Sequence, residues 1–249
     1  MSYNIGNYLV DMNKFLGKGA FSTVYLGTYI KHNNLRLPIG TPVAVKIINK
    51  KSLSSKSLQA IREEIRIIEI IRSEPHPNIV EFYDVLYEKD NIYIIMEYCE
   101  SGDMRGILKK PIKEKYAQFY FSQLANGLRY MYNKNIVHRD IKPRNILLTN
   151  NRRVLKIADF GFAKQLQDNN FMHQTVCGSP LYMAPEIIKR SDYNNQTDLW
   201  SLGMILYEIL FGFHPFHNCK SIPELKAVMK HNDIIIPPEN TKNIAISSE

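Results

Sequence analysis

Apolar residues in the first part of the chain recur with the two-residue period of β-strands, and polar turns separate the runs. The pattern predicts strands over 8–14, 22–27, 43–48, 79–87 and 92–98. In the second of these strands, we expect Val24 and Leu26 to point inward and Tyr25 outward. One helix over 57–72 interrupts the strands, because isoleucines recur there at helical spacing, at Ile61, Ile65, Ile68 and Ile71. These elements predict a small, mostly antiparallel sheet with one helix.

The second part of the chain has mainly helical periodicity. A long amphipathic helix is predicted over 113–133, where one apolar stripe is expected to be core: Tyr116, Phe119, Tyr120, Leu124 and Leu128. A nearly all-apolar helix over 197–208 should be buried, and another helix is predicted over 221–231. Apolar runs at 146–148 and 154–158 flank Asn150 and Asn151 and predict a β-hairpin. The fold class is therefore α+β.

Composition excludes several classes of protein. Lys and Arg (32) exceed Asp and Glu (24) for a net charge of +8, but the basic pairs are short and form no stripe, so nucleic-acid binding is not expected. The three cysteines form no C-x-x-C pair, which favours a reduced, cytoplasmic protein without structural zinc. No signal sequence and no apolar run of membrane length is present, so no membrane association is expected.

The hairpin places candidate chemistry at one end. His138–Asn145 precedes its first strand and Asp159-Phe160-Gly161 follows its second. Asn145 and Asp159 should therefore meet, as two oxygen ligands for a hard divalent cation. Asp140 is close enough in sequence to face the same cavity, where a carboxylate free of the metal can orient a hydroxyl group.

The glycine-containing stretch 16–24 predicts a strand, a turn and a second strand that can fold over a triphosphate. Gly17 and Gly19 let the backbone approach a ligand and adopt positive φ, whereas a Rossmann or P-loop site would need a helix after the glycines. Lys46 lies inside an apolar strand, which is costly unless the lysine is paired. It either extends to water or reaches phosphates, with Glu64 or the neighbouring Glu63 as its partner.

These motifs together resemble the protein-kinase family, whose H-R-D-x-K-x-x-N and D-F-G sequences occur here without a substitution. The family's third loop glycine is Ser22. Gly-Phe-Ala-Lys after Asp159 and the run ending in Ala184-Pro185-Glu186 are most similar to the autophagy-initiating serine/threonine kinases.

The resemblance implies a bilobal fold: a sheet lobe with one helix over 8–96, a hinge over 97–103 and a helical lobe over 104–249. The family continues with two further helices beyond the point where this sequence stops. Their absence would leave Glu186 without its arginine and expose apolar surface that a partner protein could cover.

The resemblance also implies roles for individual residues, with ATP and Mg²⁺ as cofactors. Asp140, Lys142 and Asn145 would be catalytic, and Asn145 and Asp159 would bind the metal. The nucleotide would contact Leu16, Gly17, Lys18, Gly19, Ala20, Phe21, Ser22, Thr23, Val24, Ala44, Lys46, Glu64, Met96, Glu97, Cys99, Asp103 and Leu147. Asp103 fits equally well as a helix N-cap.

Further implied contacts concern the activation segment and the buried helix. Phosphorylated Thr175 would pair with Arg139, Ser179 would contact Asp140 and Lys142, and Asp198 would bond the backbone of the catalytic loop.

Two functions follow. The first is ATP-dependent phosphoryl transfer to serine or threonine of protein substrates, as Lys142 indicates by resemblance. The alternative is a nucleotide-binding or partner-binding pseudokinase, or a truncated inactive scaffold. The enzyme is favoured, since the equivalents that pseudokinases usually lose, Lys46, Asp140 and Asp159, are all present.

Overall fold

The computed structural model describes residues 1–31, 37–166, 179–189, 194, 196–231 and 234–239. The chain forms two compact units, Met1–His76 with Val80–Tyr98, and Pro77–Ile79 with Cys99–Glu249. The first contains a sheet and one helix, and the second is mostly helical. The predicted α+β class is confirmed.

The first unit is built on a six-stranded antiparallel sheet with the order β1-β2-β3-β4-β6-β5. Its elements are β1 (Ser2–Ile5), β2 (Tyr8–Lys18), β3 (Ser22–Tyr29), β4 (Pro42–Asn49), α1 (Ser55–Ser73), β5 (Phe82–Tyr87) and β6 (Asn91–Glu97). The edge strand β1 was not predicted, and β2 continues past the predicted end of the first strand, which places Gly17 inside it.

A tyrosine-rich cluster fills one face of this sheet. Its buried members are Ile5, Tyr8, Val10, Tyr29, Leu37, Val43, Val45, Tyr93 and Ile95. Tyr25 lies opposite Val45 in the β3–β4 register and packs against the same cluster. The expectation that Tyr25 points outward is therefore wrong. Alternation identifies side chains that share a face, but here both faces of the sheet are apolar, so it does not identify the outer face.

Helix α1 begins after Ser54, whose hydroxyl caps the helix by accepting a hydrogen bond from the Ser57 amide. Its buried side is formed by Ile61, Glu64, Ile67, Ile68 and Ile71. Ile65, predicted on this side, is only half-buried, and Ile67 is buried instead.

The second unit contains α2 (Glu114–Asn133), β7 (Ile136–Val137), β8 (Ile146–Thr149), β9 (Val154–Ile157), β10 (Lys164–Gln165), α3 (Pro185–Ile188), α4 (Gln196–Phe211) and α5 (Ile222–His231). Strands β8 and β9 form the predicted antiparallel hairpin, and β7 pairs with β10. A core cluster of this unit joins α3, α4 and α5 and includes Met183, Ile187, Met204, Phe216 and Leu225.

The buried face of helix α2 coincides only in part with the predicted one. Tyr116 and Phe119 are 56% and 44% exposed. The helix packs instead through Ala117, Leu124, Gly127, Leu128 and Met131. Gly127 permits the close contact, since a Cβ there would lie 2.7 Å from Ile157 Cδ1 and 3.1 Å from the Asn78 carbonyl oxygen. The assignment of Tyr116 and Phe119 to the core is therefore wrong, while Leu124 and Leu128 lie in it as predicted.

Helix α4 is largely buried, as its uniformly apolar sequence predicts, although Leu199 is 57% exposed. Within the described ranges, no helix combines the length and the apolar character needed to cross a membrane.

Candidate active site

In the first unit, Lys46 on β4 and Glu64 on α1 form a nearly buried ion pair. Lys46 Nζ donates to Glu64 Oε1 at 2.5 Å, and the two side chains are 14% and 7% exposed. Pairing offsets the cost of placing an ammonium group in an apolar strand. The predicted partner is confirmed as Glu64, whereas Glu63 Oε1 lies 3.9 Å from Arg66 Nη1.

Several predicted nucleotide contacts share the sheet face of Lys46. Val24 lies opposite Lys46 in the β3–β4 register, and Ala44 lies opposite Met96 in the β4–β6 register. Directly paired residues point to the same side of a sheet, and residues two apart on a strand also share a side. The sheet therefore presents Val24, Ala44, Lys46 and Met96 together, on the side opposite the tyrosine-rich cluster.

The glycine-containing stretch is a β-hairpin between β2 and β3, in which Gly17 pairs with Val24 and Lys18 with Thr23. The Gly19 amide donates to the Ser22 carbonyl oxygen at 2.9 Å. A Cβ on Gly19 would lie 2.7 Å from Ser22 Oγ, so a larger residue would force that side chain to move.

Neither Gly17 nor Gly19 adopts the predicted positive φ. The hairpin tip at Lys18, Gly19, Ala20 and Phe21 is exposed, as is Leu16, 41% of which is accessible. The exposed tip leaves the backbone of this hairpin accessible to a ligand.

In the second unit, three side chains hold the buried carboxylate of Asp140, which is 3% exposed. Oδ2 accepts from Lys142 Nζ at 2.6 Å and from Asn145 Nδ2 at 2.9 Å, and Oδ1 accepts from the Ser179 hydroxyl at 3.3 Å. Lys142 Nζ also donates to Ser179 Oγ at 2.8 Å. The predicted contacts of Ser179 with Asp140 and Lys142 are confirmed.

The backbone of this loop is fixed by Asp198 on α4. Its carboxylate accepts from the His138 amide at 2.7 Å and from the Arg139 amide at 2.9 Å, as predicted. Burial raises the pKa of Asp198, although the two amide hydrogen bonds and the nearby His138 and Arg139 act in the opposite direction. These bonds hold Arg139 at φ 67°, a conformation that non-glycine residues rarely adopt.

His138 is a positioning residue to which sequence reasoning gave no role of its own. Its fully buried ring lies 5.1 Å from the ring of Phe160, and Nε2 is 3.0 Å from the Ala158 carbonyl oxygen. The ring therefore connects the catalytic loop to the segment that carries Asp159. Its place in the H-R-D motif was the only feature of the sequence that could have indicated this positioning role.

Asn145 and Asp159 are brought together by the hairpin, as predicted. The Ala158 amide donates to the Asn145 carbonyl oxygen at 2.8 Å, and Asp159 follows at φ 64°. Because Asn145 Nδ2 donates to both the backbone and the carboxylate of Asp140, its amide oxygen is turned away from Asp140. An amide oxygen and a carboxylate at one hairpin end fit Mg²⁺. In the described ranges there is no group of three or more His, Cys, Asp or Glu side chains suited to a metal.

The remaining predicted nucleotide contacts divide between the units. Asp103 forms an isolated bridge with Leu147 in the second unit, where Cys99 is buried, while Glu97 ends β6 in the first. Asp103 also caps the short 3-10 helix at Met104, and its carboxylate receives two hydrogen bonds from the Arg105 side chain, at 2.9 and 2.6 Å. The N-cap alternative is therefore observed, and the ribose contact stays a prediction.

The predicted activation segment is only partly described. Arg139 Nε donates to the Phe162 carbonyl oxygen at 2.6 Å, whereas Thr175 lies outside the described residues. Beyond that gap, the hydroxyl of Tyr182 donates to Glu208 at 2.6 Å, and the Ser201 hydroxyl donates to the Tyr182 carbonyl oxygen at 2.7 Å. Burial raises the pKa of both Tyr182 and Glu208. Glu186 is half-buried at the start of α3, and no ion pair joins it to a described residue.

Comparison with known proteins gives a consistent result. The protein kinase domain family matches residues 10–248. The chain is 42% identical over 240 residues to serine/threonine-protein kinase atg1 of Dictyostelium discoideum, covering 94% of this chain and 34% of that protein. It is 38% identical over 243 residues to serine/threonine-protein kinase ULK1 of Homo sapiens, covering 94% and 22%. It is also 38% identical over 243 residues to serine/threonine-protein kinase ATG1a of Arabidopsis thaliana, covering 96% and 37%. The predicted resemblance is confirmed, and the chain spans about a third or less of the length of these relatives.

Proposed function

Because this chain belongs to the protein kinase family, we propose that it transfers the γ-phosphoryl group of ATP to serine or threonine hydroxyls of protein substrates. The observation that carries the proposal is the arrangement around Asp140. A buried carboxylate, held by Lys142, Asn145 and Ser179, is pre-organised to orient a hydroxyl group without first reorganising its surroundings.

Each polar residue near Asp140 has a role in the proposal. Asp140 accepts the hydrogen of the substrate hydroxyl and orients its oxygen for attack. Lys142 lies within hydrogen-bond distance of both Asp140 and Ser179, so its ammonium group can stabilise negative charge beside the acceptor. Asp198 and His138 maintain the loop conformation on which this geometry depends.

Bound MgATP would supply the phosphoryl group and a cation that neutralises phosphate charge. Asn145 and Asp159 would hold the magnesium ion through oxygen ligands. Lys46, oriented by Glu64, would contact the phosphates as a point charge. The backbone of the hairpin over 16–24 would cover them, with Ala44, Met96, Glu97, Cys99, Asp103 and Leu147 around the nucleoside.

The serine/threonine class has separate support. The three relatives named above bear this class in their names, and Lys142 occupies the position that indicates it by resemblance. Since the chain spans only part of those proteins, the identity of its protein substrates stays a proposal. The cytoplasmic location, the lack of nucleic-acid and membrane binding, and a partner on the helical unit stay predictions.

The test is phosphoryl transfer from radiolabelled ATP with Mg²⁺ to myelin basic protein, followed by phosphoamino-acid analysis. We expect phosphoserine and phosphothreonine, and a loss of about 10²- to 10⁴-fold in kcat for Asp140→Asn. Asp84→Asn is the control, because Asp84 accepts hydrogen bonds from Tyr8 and Arg72 in the first unit and has no proposed catalytic role. A folded wild type that binds ATP without turnover would instead support the pseudokinase alternative.

A further inference from the structure

The exposed side of α2 carries aromatic residues that the proposed phosphoryl transfer does not use. Tyr116 and Phe119 are three residues apart, so they are neighbours on the helix surface, and each is about half exposed. The Phe119 ring packs against that of Tyr120, with centroids 5.4 Å apart. Single exposed aromatic residues are common, but adjacent ones form a patch that can bind a partner.

A rigid basic turn adjoins this patch. The Tyr120 hydroxyl donates to the Arg152 carbonyl oxygen at 3.0 Å, and Gln123 Nε2 donates to the Arg153 carbonyl oxygen at 3.1 Å. On its other side, Ser101 Oγ accepts from the Arg152 amide at 3.3 Å. The backbone groups of the β8–β9 turn are thus bonded on both sides, and this fixes the positions from which the two arginine side chains extend.

The two guanidinium groups are available to a partner. Arg152 and Arg153 are both exposed, and neither side chain forms an ion pair with any residue in the described part of the chain. Arg152 also adopts φ 66°, where an arginine is strained and a glycine would not be. The hydrogen bonds on both sides of the turn hold the backbone in this conformation.

We propose that the aromatic–arginine surface, formed by Tyr116, Phe119, Arg152 and Arg153, binds an acidic segment of a partner protein. In this segment, aspartate or glutamate residues would flank a leucine or an aromatic residue. Arginine pairs carboxylates bidentately, and aromatic rings bury the apolar side chain between them. Tyrosine and arginine, together with tryptophan, are enriched among the residues that dominate binding energy at protein interfaces.

A peptide fits this surface better than a nucleic acid does. Nucleic-acid binding relies on many simultaneous phosphate contacts along a basic stripe, and this surface has two adjacent arginines. An extended acidic peptide needs only a few carboxylates to pair with these arginines, and alternate residues of an extended strand place them on the same side.

The first experiment is panning of a random peptide library on phage against the full chain. We expect a consensus in which acidic residues flank leucine, phenylalanine or tryptophan. The consensus peptide, labelled with fluorescein, should then bind in fluorescence polarisation, with an affinity that falls several-fold between low and high salt.

Two variants locate the binding site. Tyr116→Gln with Phe119→Gln removes the rings while keeping good helix formers, and Arg152→Gln with Arg153→Gln removes the charges. Each should weaken the Kd at least tenfold. The matched control is Tyr87→Thr with Lys89→Gln, which removes an exposed aromatic residue and an exposed cation from the first unit; it should leave the Kd unchanged.

Three results would overturn the proposal: no consensus from the wild type, a consensus peptide that binds both surface variants as tightly as the wild type, or a single-stranded oligonucleotide that displaces the peptide and itself depends on the arginines. Melting temperatures of all variants establish that they are folded. Should the arginine variant unfold, the aromatic variant decides the outcome alone.

Discussion

His214 shows how burial can set the protonation state of one side chain. It is 5% exposed, Nδ1 accepts from the Phe216 amide at 3.1 Å, and Nε2 has no hydrogen-bond partner in the described ranges. The ring lies 4.8 Å from that of Tyr182. Burial is the main cause that lowers the pKa of His214 from 6.5 to about 4, with His217 contributing in the same direction.

We expect this residue to make stability depend on acid. Between pH 6.5 and 4 the unfolded chain binds a proton at His214 that the folded chain does not bind, so stability present above this window is lost as the pH falls through it. The loss amounts to about 3 kcal/mol at most. Urea unfolding at several pH values measures it.

His214→Asn is the informative variant, because asparagine can still accept from the Phe216 amide but does not titrate. It should flatten the pH dependence of the free energy of unfolding. Equal slopes for wild type and His214→Asn would contradict the assignment.

At this scale, the sequence predicted polar contacts better than apolar ones. Lys46–Glu64, Asp198 with the catalytic loop, and Ser179 with Asp140 all lie as expected. The family resemblance implied the last two contacts, whereas a partner for Lys46 also followed from the cost of leaving a charged group unpaired in an apolar strand. Tyr25 was misplaced, since an amphipathic ring is tolerated both in a core and at a surface.

Helix α2 shows why an element can be predicted while its orientation is not. The predicted apolar stripe and the buried side share Leu124 and Leu128. The buried side includes Ala117, Gly127 and Met131 instead of Tyr116 and Phe119. Gly127 could have identified the buried side of α2, because small residues let helices approach their neighbours. Strand β1 was missed because it is short and half polar.

An exposed glycine in α4, Gly203, and a buried glycine in α2, Gly127, should respond in opposite ways to substitution by alanine. A Cβ on Gly203 in α4 meets no atom within 4 Å, whereas one on Gly127 in α2 meets Ile157 at 2.7 Å. Gly203→Ala should therefore raise the free energy of unfolding by about 0.5–1 kcal/mol, and Gly127→Ala should lower it by about 1–3 kcal/mol.

Denaturant titration of both variants at one pH makes each the control for the other. A higher free energy of unfolding for both variants would show that backbone entropy, rather than the contact with Ile157, decides the effect at Gly127. A lower value for both would contradict the expectation for Gly203.

For the whole molecule, the proposed function assigns nucleotide contacts to residues of both units. MgATP should therefore stabilise the chain by about 2.7 kcal/mol at a concentration of 100 Kd, which raises the melting temperature by roughly 5–11 °C for a chain of this size. Lys46→Met and Asp159→Asn should each remove most of the shift, and Asp90→Asn should retain it.

Scanning calorimetry with and without MgATP measures the shift. A shift that survives both Lys46→Met and Asp159→Asn would contradict the assignment of these residues to the nucleotide. At this scale the fold class followed from periodicity and is confirmed. The assignment of residues to the nucleotide came from local motifs and stays a prediction, and the protein substrate depends on surfaces that no motif encodes.

The tyrosine-rich cluster has a practical consequence for spectroscopy. The chain has one tryptophan, Trp200, which packs in the core of the second unit, while Tyr3, Tyr8, Tyr25, Tyr29, Tyr83 and Tyr93 gather in the first. Emission excited at the red edge of indole absorption therefore reports on the second unit. The near-ultraviolet dichroism of phenol rings reports on both units, because Tyr116, Tyr120, Tyr130, Tyr132, Tyr182 and Tyr207 lie in the second. Comparing the two optical signals can thus distinguish melting of the second unit from melting of the whole chain without a label.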